Sequence, residues 1–308
     1  MIITGVAGFI GSHLADYFID EFDIIGIDNL STGNIKNIDH LLNNKRFNFL
    51  EIDITRSFKI DEKIDSILHF ASPASPVDYQ LKPLETLRVG SIGTENILKI
   101  STANKAKILV ASTSEVYGDP KEHPQKETYY GNVNPVGPRG VYDEAKRYLE
   151  ALTVAYKNFH NADVRIARIF NTYGPRMRIN DGRAIPNFLN QLINNKNLTV
   201  YGNGKQTRSF CYIDDTIEGI SKLLNSNYKD PVNLGNPNEI TILQLIDHIK
   251  KISNKNCSIS YKKLPINDPK RRKPDISIAK KNLDWEPKTP IEIGLLKTYN
   301  YYIEKKNE

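Results

Sequence analysis

Tyr142 and Lys146 stand four residues apart in the stretch Pro-Arg-Gly-Val-Tyr-Asp-Glu-Ala-Lys-Arg-Tyr-Leu-Glu, residues 138–150. Ala145, Leu149, Leu152 and Tyr156 recur at intervals of three and four, which predicts a helix beginning near Val141. On such a helix the phenol and the ammonium lie one turn apart on the same side. A tyrosine ordinarily keeps its proton up to a pKa of about 10, but a neighbouring cation favours the phenolate and makes it a candidate general base. An amphipathic helix with a surface lysine and a half-buried tyrosine would show the same spacing, so the rest of the chain has to decide.

Three glycines, Gly5, Gly8 and Gly11, follow an apolar run that begins at Met1 and precede a helical pattern over Ser12 to Asp20. This is the setting in which backbone approaches a pyrophosphate at a helix N-terminus. A second strand pattern ends at Asp28, about twenty residues past that turn, where a carboxylate can accept hydrogen bonds from an adenosine ribose. Its charge would repel a 2′-phosphate, which favours NAD over NADP. Asp53, beyond a third strand, either contacts adenine or caps a turn. Ala-Ser-Thr-Ser-Glu-Val-Tyr-Gly, residues 111–118, follows a fifth strand and brings hydroxyls and a carboxylate to a strand end.

The elements that must position these groups alternate. Strands are predicted at Met1 to Thr4, Asp23 to Ile27, Phe47 to Ile52, Ser66 to Phe70, Ala106 to Ala111 and Val164 to Ile169, with a long helix from Leu84 to Ala103 among the connections. Alternation of this kind implies an α/β fold, a doubly wound parallel Rossmann sheet covered by helices. We expect residues 1–172 to form the dinucleotide-binding domain, with 211–236 returning to it through a strand at Pro231 to Leu234. Residues 173–210 and 237–308 then make a smaller, discontinuous substrate domain. Asp214 is expected to cap a helix through Leu224, and Thr241 with Gln244 to form a capping box for Ile242 to Ile252.

Composition narrows the classes. The 308 residues are 25% charged and 39% hydrophobic, ordinary for a globular chain. Cys211 and Cys257 are far apart, and His13, His69 and His123 show no ligand spacing, so neither a disulfide framework nor a metal site is expected. Cys211, among aromatics, is expected in the core. The net charge of +6 comes from scattered lysines without an aromatic-interleaved basic stripe, which argues against nucleic acid. No apolar run approaches the roughly 18 residues that span a bilayer, and the strand pattern starting at Met1 leaves no room for a signal peptide; a cytoplasmic setting is expected.

Taken together, Gly5 to Gly11, Asp28, Thr113 to Gly118, and Tyr142 with Lys146 resemble the extended short-chain dehydrogenase/reductase family, which works on nucleotide sugars with tightly held NAD. Longer stretches are similar to its UDP-glucuronic acid decarboxylase branch: Ala-Ser-Pro-Ala-Ser-Pro at 71–76, Gly-Asn-Val-Asn-Pro at 131–135, residues 167–176, Leu198 to Asp215, and Arg-Arg-Lys-Pro-Asp at 271–275. The resemblance implies that NAD is held by Gly5, Gly8, Phe9, Ile10, Gly11, Asp28, Asn29, Asp53 and Ile54, together with Tyr142 and Lys146. It implies a UDP-sugar on Ser75, Tyr79, Asn171, Arg176, Tyr201, Gln206, Arg208 and Arg272.

In the same pattern Tyr142 takes the proton of the sugar 4-hydroxyl while hydride leaves C4. Lys146 holds the nicotinamide ribose and lowers the Tyr142 pKa, and Thr113 hydrogen-bonds the reacting oxygen. Oxidation at C4 makes a uronic acid a β-keto acid, which loses carbon dioxide before C4 is reduced again. Glu115 and Arg272 share the carboxylate and proton steps, undivided at this stage. A homodimer through the helices of Leu84 and Tyr142 is implied as well.

Three departures from the pattern matter. Ser114 stands where the 4,6-dehydratases place an Asp, whose acid helps a hydroxyl leave C6. Gly90 stands where many members have Asn, and a glycine inside a helix costs up to about 1 kcal/mol relative to Ala. The first strand is short for the family. A nucleotide-sugar 4-epimerase, or less readily a 4,6-dehydratase, is the alternative within the family. An NAD-responsive binding module is the alternative outside it, but it has no use for Tyr142, Lys146, Thr113 and Glu115 together.

Overall fold

The structure is a computed structural model that describes residues 1–263 and 271–307. Its strands are β1 (Ile2–Thr4), β2 (Ile24–Asp28), β3 (Phe47–Glu51), β4 (Ser66–His69), β5 (Lys107–Thr113), β6 (Val164–Ile169), β7 (Thr172–Tyr173), β8 (Leu198–Tyr201), β9 (Thr207–Ser209), β10 (Cys211–Tyr212), β11 (Val232–Leu234), β12 (Glu239–Thr241) and β13 (Ile259–Lys262). The helices are α1 (Phe9–Phe18), α2 (Pro76–Leu81), α3 (Pro83–Arg88), α4 (Thr94–Asn104), α5 (Gly140–His160), α6 (Ala184–Ile193), α7 (Ile213–Asn225), α8 (Ile242–Ser253), α9 (Ser277–Leu283) and α10 (Ile291–Asn307).

Seven strands form one parallel sheet in the order β11-β6-β5-β4-β1-β2-β3. The winding runs outward from β1 to β3, then restarts at β4 on the other side. The switch point therefore lies between β1 and β4, where open α/β sheets leave a crevice beyond the strand ends. β1 is only three residues long, yet it is an interior strand, between β4 and β2, and not an edge. Ile2 pairs with Ile25 on one side and Ile67 on the other, and all three of its residues are buried. Its two isoleucines split between the faces: Ile3 packs with Leu14, Phe18 and Leu109, and Ile2 with Ile27, Ile108 and Val110. This is the two-residue alternation of a strand covered on both faces.

β11 returns to this sheet as expected, pairing with β6. The remaining strands make three small pairs, β7 with β10, β9 with β12 and β8 with β13, with α6, α8 and α10 packed together beside them. Thr241 and Gln244 form the expected capping box. Two local expectations fail. The helix expected over Leu84 to Ala103 is interrupted: α3 and α4 are joined by one π-helical segment, Val89–Gly93. Asp214 does not cap α7, which starts at Ile213 after Tyr212 and so places Asp214 within its first turn. There the carboxylate still opposes the positive end of the helix dipole. Cys211 is in the core. His69 is buried between the hydroxyls of Thr4 and Thr94, His13 bonds the Phe9 carbonyl, and His123 pairs with Glu239.

Candidate active site

A cleft of about 840 Å³ opens over the switch point, and every site residue expected from the sequence lines it, from Gly5 to Arg272. At its floor the chain leaves β1 through Gly5, whose φ of +73° and close approach to the backbone at Phe70 and Ala71 admit no side chain. Gly11 is equally constrained, since a Cβ there would sit 2.1 Å from the Gly5 carbonyl oxygen. Gly8 is the N-cap of α1 and offers no side-chain cap, and the first turn carries no acid. The uncapped N–H groups at Phe9, Ile10 and Gly11 thus face the cleft as an anion cradle.

Asp28 closes the end of β2. It accepts from the backbone N–H of Ala7 (3.0 Å) and Leu30 (2.8 Å), while burial raises its pKa. A carboxylate has about four lone-pair sites, so acceptors remain for a ribose. Asn29 and Ile54 lie on the same wall, and Asp53 accepts from Thr55 N–H and Oγ as a turn cap while also lining the cleft. These groups fit a dinucleotide.

On the opposite wall, α5 presents Tyr142, 6% exposed and stacked on Tyr79 with ring centres 5.1 Å apart. Thr113, at the end of β5, lies beside the phenol, and its side chain favours the ionised form. Burial drives the Tyr142 pKa upward, opposed chiefly by the charge of Arg183. Lys146, expected to lower this pKa, is not among the groups that dominate the shift. Its Nζ lies 5.8 Å from the ring centre and donates to the Ala111 carbonyl (2.8 Å), and burial lowers its own pKa to about 8. With that pKa it still carries its charge at neutral pH.

Beside the phenol, Glu115 is clamped by two arginines. Arg139 Nη2 reaches one carboxylate oxygen at 2.6 Å and Arg272 Nη1 reaches the other. Burial alone would raise the Glu115 pKa, but the Arg272 and Arg139 guanidiniums hold it at about 2. Two cations on one carboxylate leave this wall with net positive charge. Arg272 also donates to the Gly118 carbonyl (2.8 Å), and the Nε of both Arg139 and Arg272 is buried without a hydrogen-bond partner. Asp143, next to Tyr142, is 5% exposed with an unpartnered Oδ1. Its pKa rises to about 7, mainly through burial and then through the Glu115 charge.

The far end of the cleft carries Asn171, Arg176, Tyr201, Gln206 and Arg208, with Ser75 on α2's N-cap facing them. Arg176 pairs with Asp16, Gln206 bonds the Tyr201 carbonyl, and Arg178 ties Asp78 and Ser75 across the mouth. Arg139, Arg183 and Asp143 were not singled out from sequence. Arg139 lies within the Tyr142 stretch, where its spacing of three from the tyrosine was a usable signal. Arg183, held bidentately by Asp181, is 41 residues from Tyr142 along the chain, and only folding brings its charge to the phenol.

A parallel doubly wound sheet whose switch point carries a glycine turn, a strand-end acid and a Tyr/Lys helix defines the extended short-chain dehydrogenase/reductase class. Within it the chain belongs to the GDP-mannose 4,6 dehydratase family, whose model matches residues 2–298. The chain is 47% identical to UDP-glucuronic acid decarboxylase 1 of Xenopus tropicalis over 303 residues, 98% of this chain and 72% of that protein. It is 48% identical to the Arabidopsis thaliana protein of the same name over 296 residues, covering 96% and 68%. Among solved structures, UDP-glucuronic acid 4-epimerase from Bacillus cereus in complex with UDP-glucuronic acid and NAD superposes with a TM-score of 0.88 at 30% identity over 99% of both chains. UDP-N-acetylglucosamine 4-epimerase from Methanobrevibacter ruminantium gives 0.91 at 26% identity, over 99% of this chain and 98% of that one.

Proposed function

We propose that the protein is an NAD-dependent carboxy-lyase converting UDP-glucuronate to UDP-xylose and carbon dioxide. Alongside the near full-length identity to decarboxylases, one feature of the site carries the reading. The phenol of Tyr142 shares a cleft wall with a carboxylate held by two arginines, so a redox group and a surplus of cations converge. When bound, NAD supplies the hydride acceptor at C4, together with a positive charge beside the phenol, and gives the hydride back at the end of the cycle.

The rest of the work falls to side chains of this chain. Tyr142, oriented by Thr113 and Tyr79, takes the 4-hydroxyl proton and later returns it to the C4 oxygen. Lys146 and the turn of Gly5, Gly8, Phe9, Ile10 and Gly11, with Asp28, Asn29, Asp53 and Ile54, hold the dinucleotide. Arg272 and Arg139 hold the substrate carboxylate through their free N–H groups. Glu115, ionised at neutral pH, orients them and is not the proton donor. At the β-keto acid stage the C5 to carboxyl bond breaks and its electron pair moves toward the C4 oxygen. One proton is taken up at C5 for each carbon dioxide released. Residues 173–210 and 237–308 hold the uridine diphosphate, through Tyr201, Gln206, Arg208 and Arg176, with Asn171, Ser75 and Tyr79 lining the sugar side. Arg183 joins them as a cation beside Tyr142.

The UDP-glucuronic acid 4-epimerase likeness supports a second reading, since epimerisation starts with the same oxidation at C4. Incubating the protein with UDP-glucuronate and NAD separates the two. Carbon dioxide with UDP-xylose is expected; UDP-galacturonate without gas would overturn the decarboxylase assignment in favour of the epimerase.

We also propose a homodimer in the cytoplasm. Leu81, Leu84, Leu87 and Ile92 on α2, α3 and the π-helical segment, with Tyr148 and Phe159 on α5 itself, are exposed, and a symmetric contact would cover them. Free cysteines at 211 and 257 accord with a reducing compartment. Among the described residues no helix is long and apolar enough to cross a membrane.

A further inference from the structure

A buried hydrogen-bond chain, none of whose linking side chains lines the cleft, joins the Tyr142 helix to the backbone that carries Arg272. It starts at Glu150, one turn beyond Lys146 on α5. Glu150 accepts from Arg168 Nε (2.8 Å) and Nη2 (2.7 Å) and from Ser112 Oγ (2.5 Å). Arg168 lies over the Tyr117 ring at 5.0 Å, and its Nη1 donates to the Tyr117 hydroxyl (3.0 Å). That hydroxyl donates to Asn233 Oδ1 (2.7 Å) on β11.

Asn233 Nδ2 then donates to the carbonyls of Gln125 and Asp275, both at 3.0 Å. Gln125 grips the same segment. Its N–H donates to the Lys273 carbonyl (2.9 Å), its Oε1 accepts from Lys273 N–H (2.9 Å), and its carbonyl accepts from Asp275 N–H (2.8 Å). Asn233 and Gln125 are 0% exposed, and every polar side-chain atom of both has a partner.

We propose that Asn233 is a positioning residue that sets Arg272 against Glu115 and, through Tyr117, Arg168 and Glu150, ties that pair to the helix bearing Tyr142 and Lys146. Arg272 to Ile276 form no helix or regular strand, so the backbone from which Arg272 reaches Glu115 is located by these bonds. A buried amide with all its bonds made fixes geometry because any displacement leaves polar groups unpaired in a dry interior. The consequence is division of labour. Loosening Asn233 spares the C4 redox step at Tyr142 and impairs the step that depends on Arg272. This inference rests on the decarboxylase reading.

The test is a kinetic cycle with Asn233→Asp, Arg272→Ala and the double variant, following NADH absorbance and carbon dioxide release in single turnovers of the holoenzyme with UDP-glucuronate. Asn233→Asp is expected to slow carbon dioxide release about 10- to 100-fold, as misplacement of a reacting-site group does, with NADH formation within about twofold of the unsubstituted protein. In the Arg272→Ala background it is expected to add no further loss, because a residue acting through another is non-additive with it. Equal slowing of both steps, or losses that multiply in the double variant, would overturn the proposal. If Asn233→Asp shows no cooperative melt, Tyr117→Phe, which keeps the ring and removes one hydroxyl, is expected to give the same split at smaller size; unchanged rates there overturn it too. Absence of carbon dioxide from the unsubstituted protein would sink the functional reading alone. The positioning claim is then read from the affinity for UDP-glucuronate relative to UDP-glucose, which is expected to fall in Asn233→Asp only when Arg272 is present, and a preference unchanged by that substitution overturns it.

Discussion

Tyr142 is the residue on which the proposed chemistry turns, and its surroundings make a protein-only phenolate unfavourable. Burial raises its pKa, Arg183 opposes that only in part, and Lys146 is occupied with a backbone carbonyl. Tyr142→Phe keeps the stacking on Tyr79 and removes the proton acceptor. We expect it to bind NAD normally and to lose about 10²- to 10⁴-fold in turnover, measured as carbon dioxide from UDP-glucuronate. The neighbouring carboxylates make opposite contributions to stability with pH. The Asp143 pKa is raised in the fold to about 7, above its ordinary value, so the native state keeps a proton that the unfolded chain releases. Stability from this group is full below the ordinary carboxylate range and declines as pH rises to about 7. Glu115 is held at about 2, so its contribution is present above the ordinary range and is lost as pH falls toward 2. Asp143→Asn is therefore expected to make the thermal midpoint fall less between pH 4 and 7, read from melting curves across that range; an unaltered slope would contradict the assignment.

At the scale of elements, α5 is placed by what packs against it, and Gly90 is the clearest case. Propensity alone makes a glycine here a cost. The structure shows why it is present: Gly90 sits in the π-helical segment between α3 and α4, and a Cβ would lie 2.9 Å from both Cβ and the carbonyl oxygen of Ala145. Ala145 is three residues from Tyr142 and next to Lys146, so the glycine lets the π-helical segment approach α5 closely. Gly90→Ala would gain about 1 kcal/mol in helix propensity. Overpacking of a tight interface costs about 1 to 3 kcal/mol, and since the contact includes backbone oxygen we expect net destabilisation. Urea titration checks the sign, and a stabilised variant would refute the close-packing account. Helix starts follow the same logic. α8 begins where its capping box says, whereas α7 begins at Ile213 because Tyr212 pairs as a strand residue in β10 up to that point.

For the whole molecule, the cleft lies between the main sheet and the smaller strand pairs, with Arg208 and Arg272 on one side of it and the glycine turn on the other. A ligand that touches both sides stabilises the folded state by mass action. Trp285, the sole tryptophan, is 1% exposed and donates to the Asp215 carbonyl (2.9 Å), so its fluorescence reports unfolding around α7. UDP at a hundred times its Kd is expected to raise unfolding free energy by about 2.7 kcal/mol, visible as a higher midpoint of the Trp285 transition. A midpoint indifferent to UDP would remove the nucleotide from the proposed site.

By itself the sequence determined the doubly wound sheet, the glycine turn with Asp28 and the return of the strand at 232–234, whereas most of the cleft wall was named only through the family resemblance, which passed over Arg139, Arg183 and Asp143. The first three are local signals: periodicity, turn chemistry and spacing along one helix or one loop. Three matters were settled only by tertiary structure, because each depends on groups distant along the chain meeting in a dry interior. Arg183, 41 residues from Tyr142 along the chain, is the cation that chiefly opposes the burial of the phenol. Glu115 is held toward its ionised form because Arg139 and Arg272, 133 residues apart along the chain, close on it together. Gly90 is required by a helix fifty residues downstream, a contact that no propensity scale or motif encodes, since excluded volume between packed elements exists only once they are packed.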